Sequence, residues 1–168
     1  MQLLIVRHAI AADQLAWAAT GSTDDQRPLT DKGRRLMKRN AAGIVAALPR
    51  LDLIATSPFT RAAQTAALLA RAYGGVEIAQ VDALASGGSR DELLGWLAAC
   101  DVQHRVAVVG HEPDLGWLVA WLLAGDGVPA VGLRKGGACL LDFVGHPSPG
   151  RGELKWFLPP SLLRRLAS

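Results

Sequence analysis

The chain has 168 residues, of which half are hydrophobic and a fifth are charged. This length favours one domain spanning residues 1–168, and the hydrophobic content excludes a disordered chain. The 18 basic and 15 acidic residues leave a formal net charge of +3, which is a small excess for a nucleic-acid-binding protein. We therefore expect a globular protein that binds no nucleic acid and uses its extra arginines on an anionic ligand.

Cysteine content and terminal patterns define the expected compartment. Cys100 and Cys139 form no CxxC motif, so the sequence predicts neither a metal site nor a redox pair. Residues 1–6 lack a basic segment and lead directly into an Arg-His pair, unlike a secretory signal. The apolar stretch 115–124 is shorter than the ~20 residues of a membrane-spanning helix. We expect a cytoplasmic monomer without membrane association.

Aliphatic and β-branched segments alternate with helical patterns along the chain, which indicates an α/β fold with a mostly parallel central sheet. Residues 3–6 are continuously apolar, as in a strand buried on both faces. Thr30 is predicted to cap the helix that follows it. In chain order we predict strand 3–6, an irregular connection 11–28, helix 30–48, strand 51–55, helix 60–71, strand 76–81, helix 91–99, strand 105–109, helix 115–124, and strands 138–144 and 154–157.

Arginine and histidine residues follow three of these strands at the point where each strand ends. Arg7 and His8 follow the first strand, Arg61 lies in the first turn of the helix after the second, and His111 follows strand 105–109. Ligands of open parallel sheets bind beyond the carboxyl ends of the strands. We therefore expect these four side chains to meet at one edge of the sheet.

These residue types suit the transfer of a phosphoryl group. A transferring phosphoryl group spreads negative charge over its oxygens, and catalysis depends on positioning and on stabilising that charge. Arginine donates paired hydrogen bonds to phosphate oxygens. A histidine attacks phosphorus only through an unprotonated ring nitrogen, and neighbouring arginines favour that neutral form. A second histidine can bind a phosphate oxygen when it is protonated.

Four motifs occur in the order found in one known family. They are LIVRHA at residues 4–9, PLTDKG at 28–33, SPFTRAAQT at 57–65 and VGHEP at 109–113. In this set the chain resembles the histidine phosphatase superfamily, and its small size and SPFTRAAQT string are most similar to the SixA phosphohistidine phosphatases of bacteria. The resemblance spans nearly the whole chain and implies a phosphoglycerate-mutase-like, three-layer α/β/α sandwich.

The resemblance also implies roles for the residues at the strand ends. His8 would be the nucleophile that becomes phosphohistidine. Arg7, Arg61 and His111 would form the phosphate pocket that binds the substrate. The resemblance implies no metal and no organic cofactor.

A general acid is not obvious, because the region where many relatives carry an acidic loop is only residues 84–89 here. Glu112 directly follows His111, as the proton-donating aspartate follows the second histidine in the acid-phosphatase branch of the superfamily. Alternatively, Glu112 occupies the first turn of the following helix, where a negative charge is favourable.

Three hypotheses follow. The first is a phosphohistidine phosphatase that acts through phospho-His8 on a signalling protein. The second is a phosphatase of small phosphomonoesters with Glu112 as general acid. The third, from another class, is a non-catalytic module that binds phosphoryl groups, although simple binding would not need His8.

The predicted helix 30–48 has a basic face. Lys32, Arg35 and Arg39 lie on it at helical spacing. Such a face is usually solvated. The alternative is that it docks an acidic partner, such as a histidine-phosphotransfer protein.

Overall fold

The computed structural model describes residues 1–127 and 129–167. Its strands are β1 Gln2–Arg7, β2 Leu53–Thr56, β3 Ile78–Gln80, β4 Arg105–Gly110, β5 Ala138–Asp142 and β6 Glu153–Leu158. Its helices are α1 Gln14–Ala18, α2 Asp31–Ala47, α3 Thr60–Ala72, α4 Arg90–Ala98, α5 Asp114–Ala124 and α6 Pro160–Leu166, with 3-10 turns at Asp24–Gln26 and Asp82–Leu84. None of the helices in the described part is long and apolar enough to cross a membrane.

The six strands form one sheet in the order β3-β2-β4-β1-β5-β6. The strands β1 to β4 pair in parallel, whereas β5 runs antiparallel to both of its neighbours. The prediction of a mostly parallel sheet is therefore confirmed only in part. The reason is the path after α5: the chain returns along the carboxyl edge of the sheet, so β5 begins beside the end of β1, with Ala138 paired to Val6.

Helices cover both faces of the sheet, which confirms the predicted three-layer arrangement. The side chains of β1 alternate between two hydrophobic clusters. Leu4 and Val6 pack with α2, α3 and α6 on one face. Leu3 and Ile5 pack with α4 and α5 on the other face. This burial on both faces explains why residues 3–6 of β1 are all apolar.

Two elements differ from the predictions. The connection predicted to be irregular contains α1 and the 3-10 turn Asp24–Gln26. The helix α6 was not predicted, and it begins at Pro160 directly after Pro159. Proline is favoured in the first turn of a helix, where its missing N–H has no intrahelical partner. The α6 helix packs closely on α2, where a Cβ atom at Gly43 would overlap the carbonyl of Leu163.

Two helical glycines should therefore respond oppositely to alanine. We expect Gly43→Ala to lower the free energy of unfolding by about 1–3 kcal/mol, because α6 must shift. A Cβ atom at Gly95, in α4, would meet no atom within 4 Å. Gly95→Ala should therefore raise the free energy of unfolding by about 0.5–1 kcal/mol, because alanine favours the helix over the unfolded chain more than glycine does. Urea denaturation of both variants measures this difference. Equal effects would contradict the close contact between α2 and α6.

Candidate active site

The predicted site residues meet at the carboxyl edge of the sheet. Arg7, His8, Arg61, His111 and Glu112 all line one cavity of about 600 Å³. They come from the end of β1, the first turn of α3 and the segment after β4. Within residues 1–127 and 129–167, no three His, Cys, Asp or Glu side chains are grouped as metal ligands would be.

The His8 ring is held in one tautomer. The backbone N–H of His8 donates to the carbonyl of Gly110 at 3.0 Å, and the residue is 5% exposed. Nδ1 lies 2.7 Å from the carbonyl oxygen of Ala9. A carbonyl oxygen only accepts, so Nδ1 carries the proton and donates it. In the neutral ring, Nε2 therefore keeps a free lone pair.

Burial also keeps this ring neutral. It lowers the pKa of His8 to about 3, against the opposing hydrogen bond to Ala9. A positive charge on His111, and those of Arg61 and Arg7, lower the pKa further. At neutral pH the ring is therefore unprotonated.

His111 lies beside His8, with the ring centroids 5.2 Å apart. Its Nε2 is 2.8 Å from Ser57 Oγ, which also accepts the backbone N–H of Phe59. The Ser57 hydroxyl has a proton of its own to donate, and among the described residues His111 Nε2 is the acceptor within its reach. Nε2 therefore accepts this hydrogen bond, and the proton of the neutral His111 ring is on Nδ1. Burial, followed by the charge of Arg61, lowers the pKa of His111 to about 4. The neutral ring can already donate from Nδ1, so a protonated ring is not required.

Protein oxygens hold both arginines. Arg7 donates from its NH1 group to the carbonyl of Leu133 at 2.7 Å. Arg61 donates to the Asp24 carbonyl at 2.7 Å and to its carboxylate at 2.9 Å. The Nε atoms of both arginines and Nδ1 of His111 are buried and have no hydrogen-bond partner among the described residues. The three residues that carry these nitrogen atoms line the same cavity, and their charged and polar groups suit the binding of an anion there.

Arg27 and Asp24 also line the cavity, and our sequence analysis assigned neither to the site. Arg27 is 8% exposed and donates to the Asp24 carboxylate at 2.8 Å and to the Ala12 carbonyl at 2.9 Å. Burial opposes ionisation of Asp24, but the hydrogen bond from Arg27 and the charge of Arg61 outweigh it and lower its pKa. The available signal was the position of Arg27 directly before the PLTDKG motif.

Glu112 contacts the loop between α5 and β5. Its Oε1 accepts the backbone N–H of Leu133 at 2.8 Å, and the carbonyl of the same residue holds Arg7. Asp114, not Glu112, occupies the first turn of α5, so the alternative that Glu112 lies in the first turn of this helix is wrong. Glu112 is connected to Arg7 through one residue of the loop. The short segment 84–89 contributes only Ser86 to the described lining of the cavity.

The family model of the histidine phosphatase superfamily, branch 1, matches residues 3–86, which is half of the chain. An uncharacterized protein from a Picosynechococcus strain is 35% identical over 171 residues, covering 95% of this chain and all of that protein. The chain therefore belongs to the histidine phosphatase superfamily.

Solved structures of SixA proteins share the fold. One is SixA complexed with tungstate, with a TM-score of 0.79 and 25% identity over 97% of this chain and 99% of that one. Another is a candidate phosphohistidine phosphatase SixA from Agrobacterium tumefaciens, with a TM-score of 0.74 and 30% identity over 95% and 97% of the two chains. Family and fold together support a phosphatase activity and confirm the predicted resemblance.

The two buried histidines predict a loss of stability in acid. Their pKa values, about 3 and about 4, lie below the ordinary 6.5, so the unfolded chain binds more protons below that pH. The contribution of the two neutral rings to the free energy of unfolding is complete above pH 6.5 and is lost as the pH falls toward 4. Each ring contributes a slope of up to about 1.4 kcal/mol per pH unit.

Urea denaturation between pH 4 and 7.5 measures this slope. The double variant of His8→Asn and His111→Asn removes both titrating rings and should give a shallower pH dependence than the wild-type chain. An equally steep dependence in that variant would contradict the buried, neutral state of the two rings.

Proposed function

We propose that this protein is a phosphohistidine phosphatase that acts through a covalent phospho-His8 intermediate on a signalling protein. The observation that carries this proposal is the free lone pair of His8 Nε2, in a cavity with three buried donors that have no partner among the described residues. A nucleophile beside an anion site is the arrangement that phosphoryl transfer requires. The likeness to SixA, in one case complexed with the oxyanion tungstate, supports the same chemistry.

In the first step, His8 Nε2 attacks phosphorus in line with the bond to the leaving group. A bond forms between Nε2 and phosphorus while the bond from phosphorus to the substrate breaks, and the substrate nitrogen leaves with the electron pair. Arg7, Arg61 and His111 donate hydrogen bonds to the equatorial oxygens. These donors are held by protein contacts beforehand, so little reorganisation is needed during the reaction.

In the second step, a water oxygen attacks the phosphorus of phospho-His8. The bond between phosphorus and Nε2 breaks, inorganic phosphate leaves, and the proton of the water is released to phosphate or solvent. The free lone pair returns to Nε2. The hydrogen bond from Nδ1 to the Ala9 carbonyl keeps the ring oriented through both steps.

A phosphohistidine substrate suits the lack of an assigned general acid. An imidazole leaves phosphorus more easily than an alkoxide, so it needs less help from a proton donor. The cavity is also large, at about 600 Å³, and the exposed polar residues Asp13, Gln14 and Lys135 contribute to its lining. Such a site admits a phosphorylated side chain that is attached to another protein.

Trapping the intermediate tests the reaction. After brief exposure to a ³²P-labelled phosphohistidine protein and acid-free quenching, the wild-type chain should carry label that is stable to base and labile to acid, as expected of a phosphoramidate. His8→Ala should carry no label and should turn over less than about one thousandth as fast, because the nucleophile is gone.

Binding of the labelled substrate without turnover or trapped label in the wild-type chain would favour a non-catalytic phosphoryl-binding module. Turnover by His8→Ala at the wild-type rate would contradict the assignment of the nucleophile.

The second candidate function is hydrolysis of small phosphomonoesters with Glu112 as the general acid. It is favoured by the place of Glu112 in the cavity lining. Its Oε1, however, is engaged by the Leu133 N–H. Glutamine at this position can still accept that hydrogen bond, whereas alanine cannot, so the two substitutions separate the acid role from the contact with the loop.

We expect Glu112→Gln to hydrolyse phosphohistidine at close to the wild-type rate and Glu112→Ala to be roughly tenfold slower, because only alanine loses the hydrogen bond that supports Arg7. Steady-state rates on a phosphohistidine peptide and an alkyl phosphate give the comparison. A loss of about 10²–10⁴-fold by Glu112→Gln on the alkyl phosphate alone would instead establish the acid role.

A further inference from the structure

A second, smaller cavity lies next to the candidate active site. It has a volume of about 130 Å³, and Lys135 lines both cavities. Its walls come from four parts of the chain, namely α2, α6, the segment after β1 and the segment before β5. The described lining residues are Ala9, Ile10, Gly33, Leu36, Met37, Asn40, Lys135, Pro160 and Arg164.

The backbone beside Lys135 is fixed between β1 and α2. The N–H of Gly136 donates to the carbonyls of Arg7 and His8 at 3.1 and 3.2 Å. Asn40 Nδ2 donates to the Gly136 carbonyl at 3.0 Å. Gly136 has a φ of 75°, and a Cβ atom there would lie 2.7 Å from Asn40 Nδ2. A glycine is therefore required at this position. The hydrogen bonds of Gly136 hold the backbone beside Lys135 in one position between the two cavities.

The second cavity is cationic. Lys135 and Arg164 contribute to its walls, and none of the described lining residues is acidic. Arg164 donates from its NH1 group to Asn40 Oδ1 at 3.1 Å, which holds its side chain toward α2. Lys135 makes no hydrogen bond or ion pair within the described part of the chain.

The positive charge continues along α2 beyond the cavity. Three exposed basic residues of this helix, Lys32, Arg35 and Arg39, directly precede the lining residues Gly33, Leu36 and Asn40. Successive helical residues project about 100° apart, so these side chains lie beside the lining face of α2 and not in the cavity itself. Lys32 and Arg39 are seven positions apart, which is about 10 Å along the helix at 1.5 Å per residue. The one nearby carboxylate on α2 is that of Asp31, 3.9 Å from Arg34. The cationic surface is therefore longer than a small phosphate ester.

We propose that this cavity is a second anion-binding subsite, which takes a carboxylate side chain of a polypeptide substrate close to its phosphorylated residue. The proposal rests on the proposed function, since it concerns the substrate of that reaction. Charge complementarity selects the acidic side chain, and the length of the cationic surface selects a polypeptide over a small ester. Opposite charges at the rim of an interface speed association and favour the matching partner.

Two phosphohistidine peptides test this subsite. One carries glutamates on both sides of the phosphohistidine, and the other has glutamine at the same positions. The wild-type chain should show a KM about threefold to tenfold lower for the acidic peptide. The ratio should approach one as the salt concentration rises toward 1 M, because surface charges are then screened.

Arg164→Gln should remove most of this difference while leaving the turnover of the neutral peptide unchanged. Glutamine removes the charge and is also shorter than arginine, so the neutral peptide reports whether the catalytic site remains intact in this variant. Arg164→Lys should restore the preference. Arg151→Gln is the matched control, since Arg151 is exposed and outside the described lining of both cavities. It should keep the full preference.

Equal KM values for the two peptides in the wild-type chain would overturn the proposal, as would an undiminished preference in Arg164→Gln. Calorimetry measures the affinities of both peptides for His8→Ala, which binds them without turnover. These affinities distinguish failure of the subsite from failure of the proposed reaction. Absence of turnover by the wild-type chain together with tighter binding of the acidic peptide would overturn the reaction and support the subsite.

Discussion

Buried N–H groups need acceptors, and in this protein three residues that line one cavity each carry a buried ring or guanidinium nitrogen without a partner among the described residues. Arg7 and Arg61 use terminal nitrogens to hold protein oxygens, so neither guanidinium is free to rotate. Leaving a buried donor without an acceptor is unfavourable by about 1–3 kcal/mol. Each group instead becomes a fixed donor that an oxyanion can satisfy. The proposed anion site would therefore be maintained at some expense to the stability of the fold.

The same burial determines the protonation state of His8, the proposed nucleophile. Water is excluded from His8, which is 5% exposed, and the loss of hydration disfavours the charged ring and lowers its pKa. The arginines that would bind the phosphate act in the same direction. In the proposed reaction, substrate binding and activation of His8 would thus have one physical cause, which is the placement of positive charge beside a buried imidazole.

Local sequence signals were sufficient for the elements that bring these groups together. The continuous apolar run of β1 and the polar residues at the strand ends predicted that Arg7, His8, Arg61 and His111 would meet, and all four line one cavity. Thr30 accepts the N–H of Gly33 as predicted for an N-cap. These features depend on short stretches of sequence and on the rule that parallel strands end at one edge.

Features that depend on tertiary pairing could not be predicted in this way. The antiparallel direction of β5 follows from its pairing with β1, which no pattern in residues 138–144 specifies. That direction brings the preceding loop, with Leu133 and Lys135, to the site. Likewise, Arg27 is held at the cavity by the Ala12 carbonyl and by Asp24, which also pairs with Arg61.

The most direct measurement is a crystal structure of the protein soaked with tungstate. It should show one oxyanion that accepts hydrogen bonds from the Nε atoms of Arg7 and Arg61 and from Nδ1 of His111, with the metal centre of the anion facing His8 Nε2. An anion bound elsewhere, with these three donors paired to protein groups and the Nε2 of His8 turned away from it, would contradict the common anion site.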